Sequence, residues 1–199
     1  MTLPSDYNTS YTLIERLCDL NEKEAWSRLH ENYTKFIYSI LHKMGVDPND
    51  ADDVAQEVYI QLSKNIEKFD REKGKFRSWF GIMISRTALK HFRSVKAKYT
   101  TQDKYEKYAA VEEQLESDGI ENLIEEEWKE YLCNIALERV SKLHRGKAYE
   151  VLVMDLEDKS SQEIAETLSI EVSSVYTLRK RVRKTLYNEV ASIRAELEL

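Results

Sequence analysis

Glycine, proline and cysteine are scarce in these 199 residues, at five, two and two. So few glycines and prolines leave little of the turn punctuation that sheets need. No stretch alternates β-branched with polar residues, and the two absences together predict an all-α chain. Cys18 and Cys133 lie far apart and fit no metal spacing. That excludes a zinc ribbon or a disulfide framework and predicts buried thiols in a reducing cytoplasm. Long apolar runs are missing too: none approaches a membrane span, and no signal peptide opens the sequence, so no membrane insertion is expected. The four histidines, His30, His42, His91 and His144, are scattered without triad or metal spacing. Asp47 to Asp53 has the look of a calcium loop but puts Ala51 at a ligand position and Asp52 where the sharp-turn glycine belongs. Gly74-Lys75 lacks the upstream glycine of a phosphate loop. The expectation is a non-enzyme with no metal, cofactor or small-molecule substrate.

Charge is present in quantity and is segregated. The net charge is −6, which taken as an average argues against nucleic acid. From Arg71 to Lys98, however, nine basic residues face one acid, Glu72. From Glu112 to Glu130, nine acids face only Lys129. From Ser173 to Tyr187 stand Arg179, Lys180, Arg181, Arg183 and Lys184 with no acid. Two basic surfaces flanking an acidic spacer suit a polyanionic partner that is met twice.

Helical periodicity divides the chain in the same way. Ala25, Leu29, Tyr33, Phe36, Ile37, Ile40 and Leu41 form one apolar stripe, closed by Gly45. Asp47-Pro48 is expected to start the next helix. Val54, Val58, Leu62 and Ile66 form a second stripe, with Asp52, Asp53, Gln56 and Glu57 on other faces. After a short loop a third helix begins near Phe76. The expected organisation is a helical domain over 11–98, an acidic linker over 99–121, and a second helical domain over 122–190. In the second, Ser160 with Glu163 reads as a capping box opening a short helix. A tight turn at Ser169-Ile170-Glu171 follows, then a longer basic helix that Ser173 is expected to cap. Short helix, turn and basic helix make a helix-turn-helix.

Each basic surface has two readings. In the last helix Val175, Leu178 and Val182 face inward. Ser173, Ser174, Tyr176, Thr177, Lys180 and Arg181 are then free to meet base edges, with Arg183 and Lys184 placed for phosphates. A merely solvated cationic helix is the alternative, and the EIAxxL–turn–SSVxxL pattern favours DNA. In the first domain Lys73, Lys75, Arg77, Arg86, Lys90 and Arg93 can follow a single-stranded backbone. Phe76 there offers either a stacking face for an unpaired base or a core side chain, and the two readings stand level. Trp79, Phe80 and Phe92 share helical spacing with Met83 and read as core.

Both halves together carry a resemblance. DADDVAQEVYIQL, FDREKGKFRSWF and ALKHFR resemble region 2 of the extracytoplasmic-function (ECF) sigma factors of bacterial RNA polymerase. The opening TLIERLCDLNEKEAWSRLHENY is similar to that family's first helices, and YEVLVMDLEDKSSQEIAETLSIEVSSVYTLRKRVRKTL to region 4. The resemblance implies that Asp52, Asp53, Gln56 and Glu57 dock on the core polymerase clamp. It implies that the loop and helix from Lys73 to Arg93 open and read the −10 element, and that Ser173 to Lys184 read the −35 element of promoter DNA. The acidic linker would thread the polymerase interior, and an anti-sigma factor would be a further partner. Three departures stand out: Leu143-His144 where the family has Leu-Pro, Ser169 in place of a turn glycine, and Leu178-Arg179 in inverted order. The competing expectations are a stand-alone helix-turn-helix regulator of duplex DNA and a helical protein-interaction module.

Overall fold

A computed structural model describes residues 9–98 and 119–197. The expected linker, save its last three residues, lies outside the described residues. The described residues form eight α-helices: α1 (Thr9–Leu17), α2 (Lys23–Lys43), α3 (Ala51–Asn65), α4 (Phe76–Lys98), α5 (Gly119–Leu143), α6 (Lys147–Leu156), α7 (Ser161–Leu168) and α8 (Val172–Leu197). Two short 3-10 turns, Ile66–Lys68 and Arg71–Lys73, join α3 to α4. No strand occurs among the described residues. The described residues fall into two compact units, one of residues 9–98, 119–131 and 196–197 and one of residues 132–195. The division falls inside α5, ten residues past the boundary expected at 121/122.

In the first unit α2, α3 and α4 pack on one another and α1 packs on α2. The α2 stripe named above is buried throughout, as are Val54, Ala55, Val58 and Leu62 of α3. Phe76, Phe80, Ile84, Ala88 and Phe92 of α4 recur every fourth residue and are all buried. Stride four places them on one face, and that face fills the space between α2 and α3. Gly45 (φ +80°) ends α2 in the left-handed region. The Val46 N–H then reaches back to the Leu41 carbonyl at 3.0 Å, the bond of a Schellman cap. Pro48 lies in a turn rather than in the first turn of a helix, and α3 starts only at Ala51 with Asp50 before it. Asp47 explains the delay: its Oδ1 takes the Asn49 N–H at 3.0 Å and so favours a turn over a helix start. Both cysteines are exposed, contrary to the expectation of buried thiols.

The first half of α5 belongs to this unit. Trp128 is 1% exposed, stacks on Tyr33 at 5.8 Å and meets Phe36 edge-on at 5.1 Å. A Cβ at Gly81 of α4 would lie 2.7 Å from Ile124, so glycine is what lets α5 approach there. Glu127 is buried and hydrogen-bonded by the Ser39 hydroxyl, with Lys43 Nζ at 3.5 Å. The Tyr131 hydroxyl donates to the Asn32 carbonyl, and burial pushes its pKa up to about 12.

The second unit has two joined apolar clusters. Val151, Met154, Ile164, Ala165 and Val175 make one. Val140, Ala148, Leu152 and Val182 make the other. Leu178 packs against both, which gives the inverted Leu178-Arg179 order a packing reason. The capping box forms as expected: the Glu163 N–H donates to Ser160 Oγ at 3.3 Å and the Ser160 N–H to Glu163 Oε2 at 2.8 Å. That hydrogen bonding holds the Glu163 carboxyl below the usual carboxylate range. Ser169 ends α7 with φ +49° and the Ile170 N–H bonded to the Ala165 carbonyl at 3.0 Å. Backbone geometry that suits glycine is therefore adopted by serine.

Candidate nucleic-acid interface

The loop between α3 and α4 is held by its own side chains. Asp70 Oδ1 takes the Glu72 N–H at 3.0 Å, and Asp70 Oδ2 meets Lys73 Nζ at 3.1 Å. Lys73 above all keeps the Asp70 carboxyl below its ordinary pKa. Lys73 is nonetheless 82% exposed at its side chain, and Lys75 is exposed as well. Along α4, Arg86, Lys90 and Arg93 are exposed. Arg86 and Lys90 border a cleft of about 330 Å³ between α3 and α4, walled by Trp79, Met83, Gln61 and Asn65. A wider hollow of about 890 Å³ lies between α1 and the loop, bordered by Ile14, Phe69, Asp70, Arg71 and Lys73.

Two candidate residues of this surface, Phe76 and Arg77, are buried. Phe76 is 0% exposed and stacks on Phe80 at 5.4 Å, with Tyr33 edge-on at 5.4 Å. Of its two readings the core one holds here, and it offers no face to an unpaired base. Arg77 is 5% exposed. Its Nη2 donates to Glu125 Oε2 at 3.0 Å, and its guanidinium lies 5.6 Å from the Trp128 ring centre. The first half of α5 covers it, and the partner is 48 positions away in sequence. Glu125 is held below the usual carboxylate range chiefly by that hydrogen bond.

On α3, Asp52, Asp53 and Gln56 are exposed and Glu57 is half-buried. Asp52 and Asp53 stand in the first turn, where the helix dipole favours anions. Asp52 accepts the Tyr38 hydroxyl at 2.6 Å and thereby raises that phenol's pKa. Glu57 accepts from Gln61 at 2.7 Å and lies 3.9 Å from Lys90. The acidic row thus adjoins the basic helix, and the Glu57–Lys90 ion pair joins the two.

In α8 Val175 and Val182 are buried, and Ser173, Ser174, Tyr176, Thr177, Lys180, Arg181, Arg183 and Lys184 are all exposed. Ser173 is the second helical residue rather than the cap. The carbonyl of Glu171 takes the first bonds, from Ser174 N–H at 2.9 Å and Val175 N–H at 3.1 Å. Arg183 is corrected as well. Its Nε donates to Asp155 Oδ2 at 2.6 Å and its Nη2 to Asp155 Oδ1 at 2.8 Å, so this guanidinium is engaged inside the unit. That contact raises its pKa further. Arg179, absent from the sequence-based candidates, donates from Nη1 to Ser161 Oγ at 2.7 Å and from Nη2 to the Lys159 carbonyl at 3.3 Å. The signal available was the i, i+4 spacing of Arg179 and Arg183 opposite the lone acid of the apolar run VLVMDL. No group of three or more potential metal ligands occurs among the described residues, and no described helix is long and apolar enough to cross a membrane.

A buried-core helical unit with a basic cleft, followed by a capped helix-turn-helix with a cationic outer face, defines a two-part nucleic-acid reader. Residues 29–98 match sigma-70 region 2, and residues 141–186 match sigma-70 region 4. The chain is similar to the ECF RNA polymerase sigma factor SigW of Bacillus subtilis, 23% identical over 86% of this chain and 92% of that protein. It is likewise similar to the ECF RNA polymerase sigma factor BldN of Streptomyces coelicolor, 23% identical over 92% of this chain and 66% of that protein. The ECF RNA polymerase sigma-E factor of Haemophilus influenzae is 25% identical over 92% and 95%. The chain belongs to the ECF sigma factors, and it acts in transcription initiation.

Proposed function

We propose that the two units divide promoter recognition between them, on one core RNA polymerase. The exposed acidic row of α3, Asp52, Asp53 and Gln56, with Glu57 behind it, docks on the polymerase. Lys73, Lys75, Arg86, Lys90 and Arg93 act on the opened −10 strand. The outer face of α8, with Ser173, Ser174, Tyr176, Thr177, Lys180, Arg181 and Lys184, reads the −35 duplex. The observation that carries this reading is the juxtaposition in one unit of an exposed acidic helix face and a cleft bordered by Arg86 and Lys90. A duplex-only regulator has no use for that pairing. The protein works as a cytoplasmic, non-enzymatic specificity subunit, and a separate anti-sigma factor is its expected antagonist.

Gel filtration with purified core polymerase, followed by promoter-dependent transcription, tests the reading. Co-elution and specific initiation are expected. Separate elution with duplex binding intact would favour the stand-alone regulator instead. Co-elution without promoter-dependent transcription would leave a polymerase-interaction module. The anti-sigma expectation has its own check, a co-purifying protein that suppresses transcription when added back.

A further inference from the structure

Five cations lie between residues 179 and 184 of α8, but two of them, the mostly covered Arg179 and the more exposed Arg183, are engaged by one carboxylate of their own unit. Asp155, in the last turns of α6, is 6% exposed at its side chain. Arg183 holds it by two hydrogen bonds of 2.6 and 2.8 Å, and Arg179 Nε lies 2.8 Å from its Oδ1. Arg179 also reaches the start of α7 through Ser161 Oγ and the Lys159 carbonyl. One nearly buried carboxylate therefore joins α6 to α8 directly and, through Arg179, to the start of α7.

We propose that Asp155 is a positioning residue for −35 recognition. It withholds Arg179 and Arg183 from DNA phosphates and fixes α8 so that the duplex meets Lys180, Arg181 and Lys184. The proposal rests on the reading of α8 as a duplex reader. A guanidinium that left Asp155 for a phosphate would take one of the two cationic partners from a nearly buried carboxylate, which is costly. A two-point Arg–carboxylate contact is also among the stronger of its kind. Phosphate contacts add affinity for every sequence alike, whereas base contacts add it for one. Removing two cations from the phosphate-facing set therefore lowers non-specific binding more than specific binding and raises the ratio between them.

The test measures binding of the full-length chain to a mixed-sequence duplex at several salt concentrations. Four variants are compared with wild type: Asp155→Asn, Arg183→Ala, the two combined, and Lys184→Ala. Each phosphate contact contributes about 0.9 to the slope of log affinity against log salt. Asp155→Asn is expected to tighten low-salt binding and steepen the slope by about one unit per guanidinium released. A slope change of about 0.9 is about a 3.5-fold change in affinity between 50 and 200 mM salt. Arg183→Ala alone should leave the slope unchanged, and in the double variant it should cancel about half of the gain, the share of one of the two guanidiniums. A merely structural Asp155 would lower thermal stability without steepening the slope, and that result overturns the proposal. So does a slope flattened by Arg183→Ala as much as by Lys184→Ala, a result that stands whether or not Asp155→Asn folds. If Lys184→Ala flattens the slope while Asp155→Asn does not steepen it, the inference fails and the reading of α8 survives. Were neither variant to move it, or neither wild type nor Asp155→Asn to bind, both would fall.

Discussion

Ser169 holds a backbone conformation, φ +49°, that costs an L-residue about 1–2 kcal/mol and costs glycine little. Glycine also has more chain entropy to lose on folding. The net prediction for Ser169→Gly is a gain of about 0.5–1 kcal/mol, read as a higher midpoint of thermal unfolding. A lower midpoint would mean that the serine side chain stabilises the turn by more than the strain. Arg181 is exposed on the outer face of α8 and has no acid within its own stretch of the helix. If it reads a base, Arg181→Ala should cost about 1–3 kcal/mol of discrimination and relax preference at one −35 position. A competition assay over a randomised −35 element checks this; equal loss on every sequence would make Arg181 a phosphate contact. Phe76 belongs to the opposite class. Its ring is enclosed by Tyr33, Phe69, Trp79 and Phe80. Phe76→Ala should therefore lower stability by about 3–5 kcal/mol, which makes it a poor probe of DNA binding.

At the scale of elements, the helices themselves were legible and some of their duties were not. The stripes of α2 and α3 and the Ser160/Glu163 capping box could be read because each depends on residues within one or two turns. Phe76 lies on the stride-four row with Phe80, Ile84, Ala88 and Phe92. The row was readable, but the basic loop beside it argued for exposure. Arg77 was beyond reach, because its acid stands on a helix 48 positions later. The boundary inside α5 was hidden for a related reason. Ile124, Trp128, Leu132, Ala136 and Val140 form one stripe of buried residues at stride four, and periodicity is blind to a change of packing partner midway. Trp128→Ala should cost the first unit about 3–5 kcal/mol. Glu125 gives that contact a pH signature. Its folded pKa is depressed by Arg77, so its contribution is present above the unfolded value of about 4.3 and is lost as pH falls through the folded one. The midpoint difference between wild type and Glu125→Gln should be visible near pH 7 and close on acidification below about pH 4. A gap that persists unchanged at pH 3 would mean that the carboxylate charge is not what Arg77 uses. On α3, Asp53→Ala with Gln56→Ala should weaken polymerase binding with the fold intact, since both side chains are exposed. Early melting with undiminished binding would make the pair structural.

For the whole molecule, a net charge of −6 means that attraction to a polyanion has to be local. Exposed cations are spread over the described residues, and two groups of them stand with no more than one acid in their stretch of sequence. One is the loop and cleft side of α4, and the other is the outer face of α8. If the first acts only on opened DNA, then Lys73→Ala with Lys75→Ala should leave −35 duplex binding unchanged. Open-complex formation should fall. Exposed charge contacts are worth about 0.2–1 kcal/mol each, so losing two predicts about 2- to 30-fold less open complex. Phe76 remains in the core in this variant, so the fold is preserved and the comparison is clean. A promoter carrying a pre-melted −10 bubble should restore most of the loss, because the cost of unstacking and unpairing has then been met in advance. Failure of the bubble to restore it would place the two lysines in holding the unpaired strand rather than in opening it. Opening at the wild-type rate on intact duplex would reduce the loop to a connector, and the division of labour between the two surfaces would fail at its first half.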